Sequence, residues 1–202
     1  MHSPDAFKGW YSRGYLPHFD TGHAIQSLTF RLADSLPRDK LRQLEEALAH
    51  RQKADADRER RKTIEKWLDA GSGSCLLGHP EIAQLVQDAL LGFDGQRYHI
   101  IAWCIMPNHV HVLLEPMVPL SSIVRSWKSF TSRKGHGIAK VLGLDAPAPG
   151  FWMREYWDRF IRNEEHLMQV VEYIHQNPVK ADLCHTPEAW PWSSAAWWTQ
   201  NP

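Results

Sequence analysis

Two histidines separated by one residue, His109 and His111, stand in an apolar run that continues with Val112-Leu113-Leu114. On a β-strand, residues two positions apart project from the same face, so the two imidazoles are predicted to converge. Convergent imidazoles can bind a divalent metal ion that keeps open positions for a substrate. The alternative is an ordinary polar pair on a half-exposed strand, because a chain with 12 histidines also produces this spacing by chance.

One tyrosine, Tyr173, is predicted to lie on a helix that begins at Asn163, a favourable N-cap residue. At about 100° per residue, Tyr173, His166 and Asn177 fall on one flank of the apolar stripe of that helix. A tyrosine hydroxyl can attack a phosphodiester when a metal ion polarises the phosphate, and Asn177 could supply a ligand oxygen. The alternative is an amphipathic tyrosine at the edge of the core. The stripe consists of Leu167, Val170, Val171 and Ile174.

The elements that must position these side chains follow from hydrophobic periodicity and turn residues. The predicted elements are a strand at 25–32, a helix from Pro80 to Gly92, strands at 97–106 and 109–114, a helix capped by Ser121 or Ser122, a strand at 151–161 and a last helix ended by Pro178. Pro107-Asn108 separates the two middle strands as in a hairpin. This order predicts an α+β fold in which helices cover an antiparallel sheet.

Residues 37–70 interrupt this pattern with a dense mixture of basic and acidic side chains, and Gly71-Ser72-Gly73-Ser74 follows them. Mixed charge on good helix formers is typical of a solvated helix. We therefore expect 37–70 to form a charged helical excursion on the surface that carries no chemistry.

Composition excludes several classes of protein. The 23 basic residues balance the 23 acidic ones, and no apolar run approaches the length of about 20 residues that a membrane span needs. The N-terminus lacks the pattern of a secretory signal. The three cysteines (Cys75, Cys104 and Cys184) are widely spaced and form no C-x-x-C pair, which excludes a disulfide scaffold and a cysteine-built zinc finger. We expect a cytoplasmic protein without membrane association.

A basic surface is predicted on the helix that begins near residue 121, because no acidic residue occurs from Leu120 to Leu144. Cations of this kind bind nucleic-acid phosphates, although a merely solvated helix face is the alternative. A second basic group flanks the start of the tyrosine helix. The candidate DNA-binding residues are Arg125, Lys128, Arg133 and Lys134 on the helix, and Arg154, Arg159 and Arg162 in the second group.

Two long motifs give the sequence a family resemblance. Residues 103–114 (WCIMPNHVHVLL) and 173–181 (YIHQNPVKA) resemble the signature and the tyrosine-helix motif of the HUH single-tyrosine transposases. In particular, the chain is similar to the REP-associated tyrosine transposases. Three further stretches match, at 14–19, 154–162 and 190–194. The resemblance therefore runs from about residue 13 to residue 196, and the charged excursion is the only part of this range that it matches weakly.

The resemblance implies a ferredoxin-like antiparallel sheet with helices mainly on one side. It implies that His109 and His111 bind Mg²⁺ or Mn²⁺ and that Tyr173 attacks a phosphate of single-stranded DNA. The implied products are a 5′-phosphotyrosine link and a free 3′-OH, and the implied substrates are repeats that fold into hairpins. Many insertion-sequence relatives carry Gln four residues after the tyrosine, where this chain has Asn177. We predict Asn177 as the third metal ligand and Gln176 as the alternative.

These expectations describe one domain over residues 1–202, with the excursion at 37–70 and a C-terminal tail at 185–202. The partner is single-stranded or hairpin DNA, and the protein is expected to be a monomer or a homodimer. A histidine-triad nucleotide hydrolase is disfavoured because Leu113 occupies the third position that such a motif requires. A domesticated, sequence-specific DNA-binding protein without turnover is the alternative function.

Overall fold

The computed structural model describes residues 7–12, 17–36, 38–148 and 150–200. Part of one motif of the family resemblance, Gly14-Tyr15-Leu16, lies outside the described residues, as does Pro37 at the start of the excursion. The strands are β1 (Gly9–Ser12), β2 (Pro17–Asp20), β3 (Gln26–Arg31), β4 (Tyr98–Ile105), β5 (His109–Pro116) and β6 (Trp157–Phe160). The helices are α1 (Arg38–Leu48), α2 (Lys53–Asp69), α3 (Pro80–Leu91), α4 (Leu120–Leu142), α5 (Glu164–Lys180) and α6 (Ala195–Gln200).

The main sheet is antiparallel and has the strand order β4-β5-β3-β6. β4 and β5 form the hairpin predicted around Pro107-Asn108, and β3 pairs with both β5 and β6. The chain passes through the elements β3, α3, β4, β5, α4 and β6 in turn, which is the order of a ferredoxin-like fold. The predicted α+β class is therefore confirmed. β1 and β2 form a separate two-stranded hairpin that the sequence analysis did not predict.

Helices cover both faces of the main sheet. On one face, Val110, Val112 and Leu114 of β5 join a large apolar cluster with α3 and α4. On the other face, Leu113 of β5 packs in a smaller cluster with Ile174 of α5. Because side chains alternate along a strand, His109 and His111 point to the face that α5 covers. The sheet thus places the histidine pair beside the helix that carries Tyr173.

The N-terminus of α4 differs from the prediction of a serine cap. Pro119 occupies the N-cap position, and Ser121 and Ser122 lie inside the first turn. The carboxylate of Asp20, at the end of β2, accepts a hydrogen bond from the Leu120 N–H at 2.9 Å. A side chain from a distant strand therefore satisfies a free N–H group that the sequence analysis assigned to a local hydroxyl.

Two other boundaries also differ from the prediction. The strand expected at 151–161 is limited to β6, because Phe151 and Tyr156 are buried in the α3/α4 cluster and do not alternate between two faces. Pro178 lies inside α5, which continues to Lys180. A proline lacks only its own N–H donor, and the following turn is still closed by the Ala181 N–H bonding to the Asn177 carbonyl.

The excursion is helical, as expected, and consists of α1 and α2. Ile64 and Leu68 of α2 form a small apolar cluster with Leu36, so the excursion has its own core. Its end is also attached to the main sheet. The Asn108 Nδ2 donates hydrogen bonds to the Leu68 carbonyl at 3.1 Å and to the Ser72 carbonyl at 3.0 Å. The excursion is therefore fixed beside the β4–β5 turn.

The C-terminal residues are also ordered against the sheet. The Ile105 N–H donates to the Trp192 carbonyl at 2.8 Å, and the Ser194 N–H donates to the Trp103 carbonyl at 3.0 Å. The indole N–H of Trp198 donates to the Ile101 carbonyl at 2.8 Å. The segment predicted as a tail thus covers the outer edge of β4. None of the helices described is long and apolar enough to cross a membrane.

Candidate metal and nucleophile site

The two histidines meet on the α5 face of the sheet. Their Nε2 atoms lie 2.9 Å apart, and each side chain is 1% exposed. The opposite ring nitrogen of each histidine has a fixed partner. His109 Nδ1 lies 2.7 Å from Asn108 Oδ1, and His111 Nδ1 lies 2.9 Å from the hydroxyl of Thr29 on β3. Such partners orient the ring and direct its free nitrogen toward a metal ion.

Both imidazoles are neutral. Desolvation by burial lowers the pKa of His109 well below 6.5, with further contributions from His111 and Arg31, and it lowers the pKa of His111 to about 3. The amide of Asn108 donates through Nδ2 to two carbonyls, so its Oδ1 must accept the hydrogen bond from His109 Nδ1. His109 therefore presents an unprotonated Nε2, which is the form that ligates a metal.

Tyr173 is directly beside this pair. Its ring makes an edge contact with His111, with 5.4 Å between the ring centroids and an angle of 78° between the planes. Burial raises the pKa of the Tyr173 hydroxyl, and the charges of Glu65 and Asp69 raise it further. Of the two polar side chains nearest in effect, Asn177 lowers this pKa and Glu65 raises it. At neutral pH the phenol is therefore protonated, and it needs a proton acceptor to become a nucleophile.

Asn177 supplies a buried oxygen without a partner. Its side chain is fully buried, and its Nδ2 donates to the Tyr173 carbonyl one turn earlier at 2.6 Å. Within the described residues, Asn177 Oδ1 has no hydrogen-bond partner. A buried carbonyl oxygen without a hydrogen-bond partner destabilises the folded protein unless a cation or a hydrogen-bond donor binds it. Gln176, the alternative third ligand, is only half-buried.

The available donors fit a divalent ion, although they do not yet form a closed site. Two neutral imidazole nitrogens and one orphaned amide oxygen are donor types that Mg²⁺ and Mn²⁺ accept. In the described part of the chain, no group of three or more His, Cys, Asp or Glu side chains is already arranged around a common ion position. A complete site therefore needs the amide of Asn177 or an acidic side chain that moves closer.

The excursion contributes to this site, which the sequence analysis did not predict. A cavity of about 600 Å³ separates α2 from α5, with Tyr173 in its wall. Its lining residues are Lys62, Glu65, Lys66, Asp69, Ala70, Tyr173, Lys180, Ala181 and Asp182. Glu65 and Asp69 are one helical turn apart, so the pair of like charges on one helix face was the available signal.

Asp69 approaches the histidines most directly. Its Oδ1 lies 4.0 Å from His109 Nε2, the nitrogen that faces His111. Burial raises the pKa of Asp69, and the charge of Lys180 opposes that rise. The Lys180 ammonium itself lies over the Tyr173 ring, 5.1 Å from its centroid. The last turn of α2 therefore lies beside the candidate site, whereas the excursion was expected to carry no chemistry.

The basic residues predicted to bind DNA do not line this cavity. Arg125, Arg133 and Lys134 are exposed on α4, which covers the opposite face of the sheet. Arg154 and Arg162 are exposed near β6, and the Arg162 guanidinium lies over the Phe160 ring. Arg159 is exposed on β6 itself. Their role in DNA binding stays a prediction.

Lys128 has a structural contact that the sequence analysis did not foresee. Its ammonium donates to the carbonyls of Met153, Arg154 and Glu155, at 2.8, 3.2 and 3.3 Å. It also lies 5.6 Å from the centroid of the Tyr156 ring. All three of its N–H donors have partners in the protein, so Lys128 fixes the segment before β6.

Comparison with known proteins identifies related chains. Residues 82–177, which include both histidines, Tyr173 and Asn177, match the family model described as IS200-like transposase. A candidate REP-associated tyrosine transposase of Haemophilus influenzae is 27% identical over 48% of this chain and 58% of its own length. The REP-associated tyrosine transposase of Escherichia coli is 25% identical over 55% of this chain and 63% of its own length.

The chain thus spans about three fifths of the length of each of these two relatives. A solved structure of a REP-associated tyrosine transposase bound to a REP hairpin has the same fold. It superposes with a TM-score of 0.59 at 18% identity and covers 93% of this chain and 86% of its own. The family model thus matches nearly half of the chain, and the chain is similar to the IS200-like transposases and, among them, to the REP-associated tyrosine transposases.

Proposed function

We propose that the protein is a metal-dependent single-stranded DNA endonuclease and strand transferase that acts on hairpin-forming repeat DNA. The main support is the contact between Tyr173 and a pair of neutral, buried imidazoles whose Nε2 atoms face each other. The relative with the same fold was solved with a REP hairpin, which favours hairpin DNA as the substrate here.

In this proposal His109, His111 and Asn177 hold Mg²⁺ or Mn²⁺. The ion, when bound, polarises the scissile phosphate and stabilises its developing negative charge. Thr29 and Asn108 keep the two imidazoles in the orientation that the ion requires. Apolar residues of α5 and β5 pack beside the site, and such low-dielectric surroundings strengthen these electrostatic interactions.

The Tyr173 oxygen attacks the phosphorus of the DNA backbone. A bond forms between this oxygen and phosphorus, and the bond between phosphorus and the 3′ oxygen breaks. Glu65, which lines the same cavity as Tyr173, accepts the phenol proton, and the departing 3′ oxygen takes a proton from water and becomes a free 3′-OH. Attack of a 3′-OH on the 5′-phosphotyrosine reverses the exchange and rejoins DNA without ATP.

The DNA-binding part of the proposal places the phosphates on the exposed cations of α4 and of the β6 region. These are Arg125, Arg133, Lys134, Arg154, Arg159 and Arg162, while Lys128 contributes indirectly by fixing the segment before β6. Cations of this kind give affinity that decreases with salt concentration.

The test is incubation with labelled hairpin oligonucleotides and Mg²⁺, followed by a denaturing gel. The wild-type protein should form a covalent adduct, and Tyr173→Phe should form none while it keeps its fold and its DNA affinity. The change removes only the hydroxyl, so the packing loss is small. Tyr156→Phe, which removes a hydroxyl on the other face of the sheet, should still form the adduct.

Two outcomes contradict the proposal. Cleavage by Tyr173→Phe at a comparable rate means that another group, such as a metal-activated water, is the nucleophile. Tight binding of hairpin DNA by the wild type without any adduct or cleavage supports the alternative function, a sequence-specific DNA-binding protein without turnover.

A further inference from the structure

The proposed metal ligands lack a negative charge. His109 and His111 are neutral imidazoles, and Asn177 offers a neutral amide oxygen. Mg²⁺ is a hard cation that proteins usually bind through one or two carboxylates. A metal site on this face of the sheet therefore lacks a negative charge to balance the divalent cation unless an acidic side chain joins it.

The two distances at His109 Nε2 can be compared with the distances between ligand atoms around an octahedral ion. With ligands at about 2.0–2.1 Å from the ion, adjacent ligand atoms lie about 2.9 Å apart and opposite ones about 4.1 Å apart. The distance from His109 Nε2 to His111 Nε2 is 2.9 Å, and the distance to Asp69 Oδ1 is 4.0 Å. Asp69 Oδ1 is therefore separated from His109 Nε2 by about two metal–ligand bond lengths, and it has to move closer to His111 to share an ion with both histidines.

The backbone holds Asp69 in this position. Asn108, whose Oδ1 orients the His109 ring, also donates to the carbonyl of Leu68, the residue before Asp69. The same Nδ2 donates to the Ser72 carbonyl, so both ends of the turn that contains Asp69 are attached to the histidine strand. The Asp69 side chain is 30% exposed and lines the open cavity, which leaves it room to move toward His111.

We propose that Asp69 of the charged excursion is an additional ligand of the divalent ion. This inference rests on the proposed function, because it uses the ion that His109 and His111 would hold. It makes α2 part of the active site. It also gives the excursion a role in ion affinity that the ferredoxin-like core does not provide alone.

The test measures Mn²⁺ binding to the full chain by isothermal titration calorimetry without DNA, so that no catalytic step is involved. Asp69→Asn keeps the shape of the side chain and removes its charge. We expect Mn²⁺ affinity to fall at least about tenfold, because even groups that only orient a ligand cost about 10–100-fold when they are removed. Asp182→Asn is the matched control, since Asp182 lines the same cavity and asparagine tolerates its left-handed φ of 54°.

The inference is supported if Asp69→Asn lowers Mn²⁺ affinity by a factor at least about five times larger than Asp182→Asn does. Any smaller difference between the two variants overturns it. His109→Ala separates this result from the proposed function. If His109→Ala and the wild type bind Mn²⁺ equally weakly, the proposed ion site itself is wrong. If His109→Ala loses Mn²⁺ while Asp69→Asn keeps it, only the role of Asp69 is wrong.

A second measurement distinguishes a direct ligand from a nearby charge. The relaxation of water protons by bound Mn²⁺ reports how many water molecules the ion retains. Asp69→Ala should increase that number by about one, because a water replaces each lost ligand at an octahedral ion. An unchanged water number in Asp69→Ala overturns direct ligation, even if the affinity falls.

Discussion

The two faces of β5 have opposite chemistry. Val110, Val112 and Leu114 are fully buried against α3 and α4 in the larger apolar cluster. His109 and His111 are almost as buried on the other face, but their partners are polar: Thr29, Asn108 and the ring of Tyr173.

The difference shows how one strand can serve both stability and chemistry. On the α3/α4 face, stability comes from the removal of apolar area from water. On the α5 face, each outward ring nitrogen has a polar protein partner, and the two inward nitrogens face each other 2.9 Å apart. The face that contains the site thus depends on hydrogen-bond partners rather than on packing alone.

The largest expected effect is the loss of DNA cleavage caused by a substitution on the α5 face. His109→Ala should reduce cleavage of hairpin DNA in Mg²⁺ by at least about a hundredfold, because it removes a proposed ligand and not merely an orienting group. Excess Mn²⁺ should restore part of the activity of His109→Ala and none of that of Tyr173→Phe. Cleavage rates on labelled hairpins measure both effects, and His99→Ala, an exposed histidine on β4, is the control. Equal rates for His99→Ala and His109→Ala would contradict a role in metal binding.

The next prediction compares neighbours on opposite faces of β5. Leu114→Ala should lower the free energy of unfolding by about 2–5 kcal/mol, because it leaves a cavity in the α3/α4 cluster. Leu113→Ala should cause a loss of similar size, but it should also weaken Mn²⁺ binding, since Leu113 packs against the helix that carries Asn177. Denaturant unfolding and calorimetry measure the two quantities. The comparison fails if both variants change Mn²⁺ affinity equally.

A third prediction uses pH in the presence of EDTA. Burial lowers the pKa of His111 to about 3 in the folded protein. As the pH falls, this histidine therefore binds a proton in the unfolded chain at a higher pH than in the folded protein. The free energy of unfolding should therefore be at its full value above pH 6.5 and decrease as the pH falls toward 3, by up to about 1.4 kcal/mol per pH unit for each such histidine.

Denaturant unfolding between pH 6.5 and 5 measures this slope above the main range of carboxylate titration. His111→Ala should reduce the slope that the two buried histidines share, whereas Leu114→Ala should lower the whole curve and keep its slope. A slope that His111→Ala leaves unchanged would show that the buried histidines do not cause it.

The smallest expected effect concerns the outer surface of α4. Arg125→Ala should reduce the slope of log K against log salt for hairpin DNA by about one unit, the amount expected for one lost phosphate contact. Lys128→Ala should instead lower stability, because the Lys128 ammonium holds three carbonyls of the segment before β6. Binding titrations over a range of salt concentrations would contradict both statements if only Lys128→Ala changed the slope.

Local patterns predicted most of the fold. The apolar run of β5 and the stripes of α3 and α5 predicted a strand and two helices, and the structure confirms these elements. The predicted N-cap of α4 was wrong because the side chain that accepts the hydrogen bond from the Leu120 N–H, Asp20, is 100 positions away in the chain. The β1–β2 hairpin was missed because each strand has only four residues.

The candidate site divides in the same way. The convergence of His109 and His111 follows from strand geometry, helix periodicity puts Tyr173 and Asn177 on one flank of their helix, and the resemblance gives these two residues their roles. The spacing of Glu65 and Asp69 shows that they share one face of α2, but their approach to Tyr173 and the histidines could not be predicted, because it depends on how α2 docks on the sheet. A charged helix has the same sequence signature whether its acidic residues face water or a nucleophile.

Asn108 links folding to ligand binding. One side chain holds both the ring of His109 and the end of α2, so the docked helix and the oriented histidine form a single cooperative unit. Thermodynamic linkage is reciprocal: the free energy by which docking of α2 favours ligand binding at the ring equals the free energy by which ligand binding favours docking of α2. In hydrogen exchange, the amides of α2 should therefore report the occupancy of a site that lies on another part of the chain.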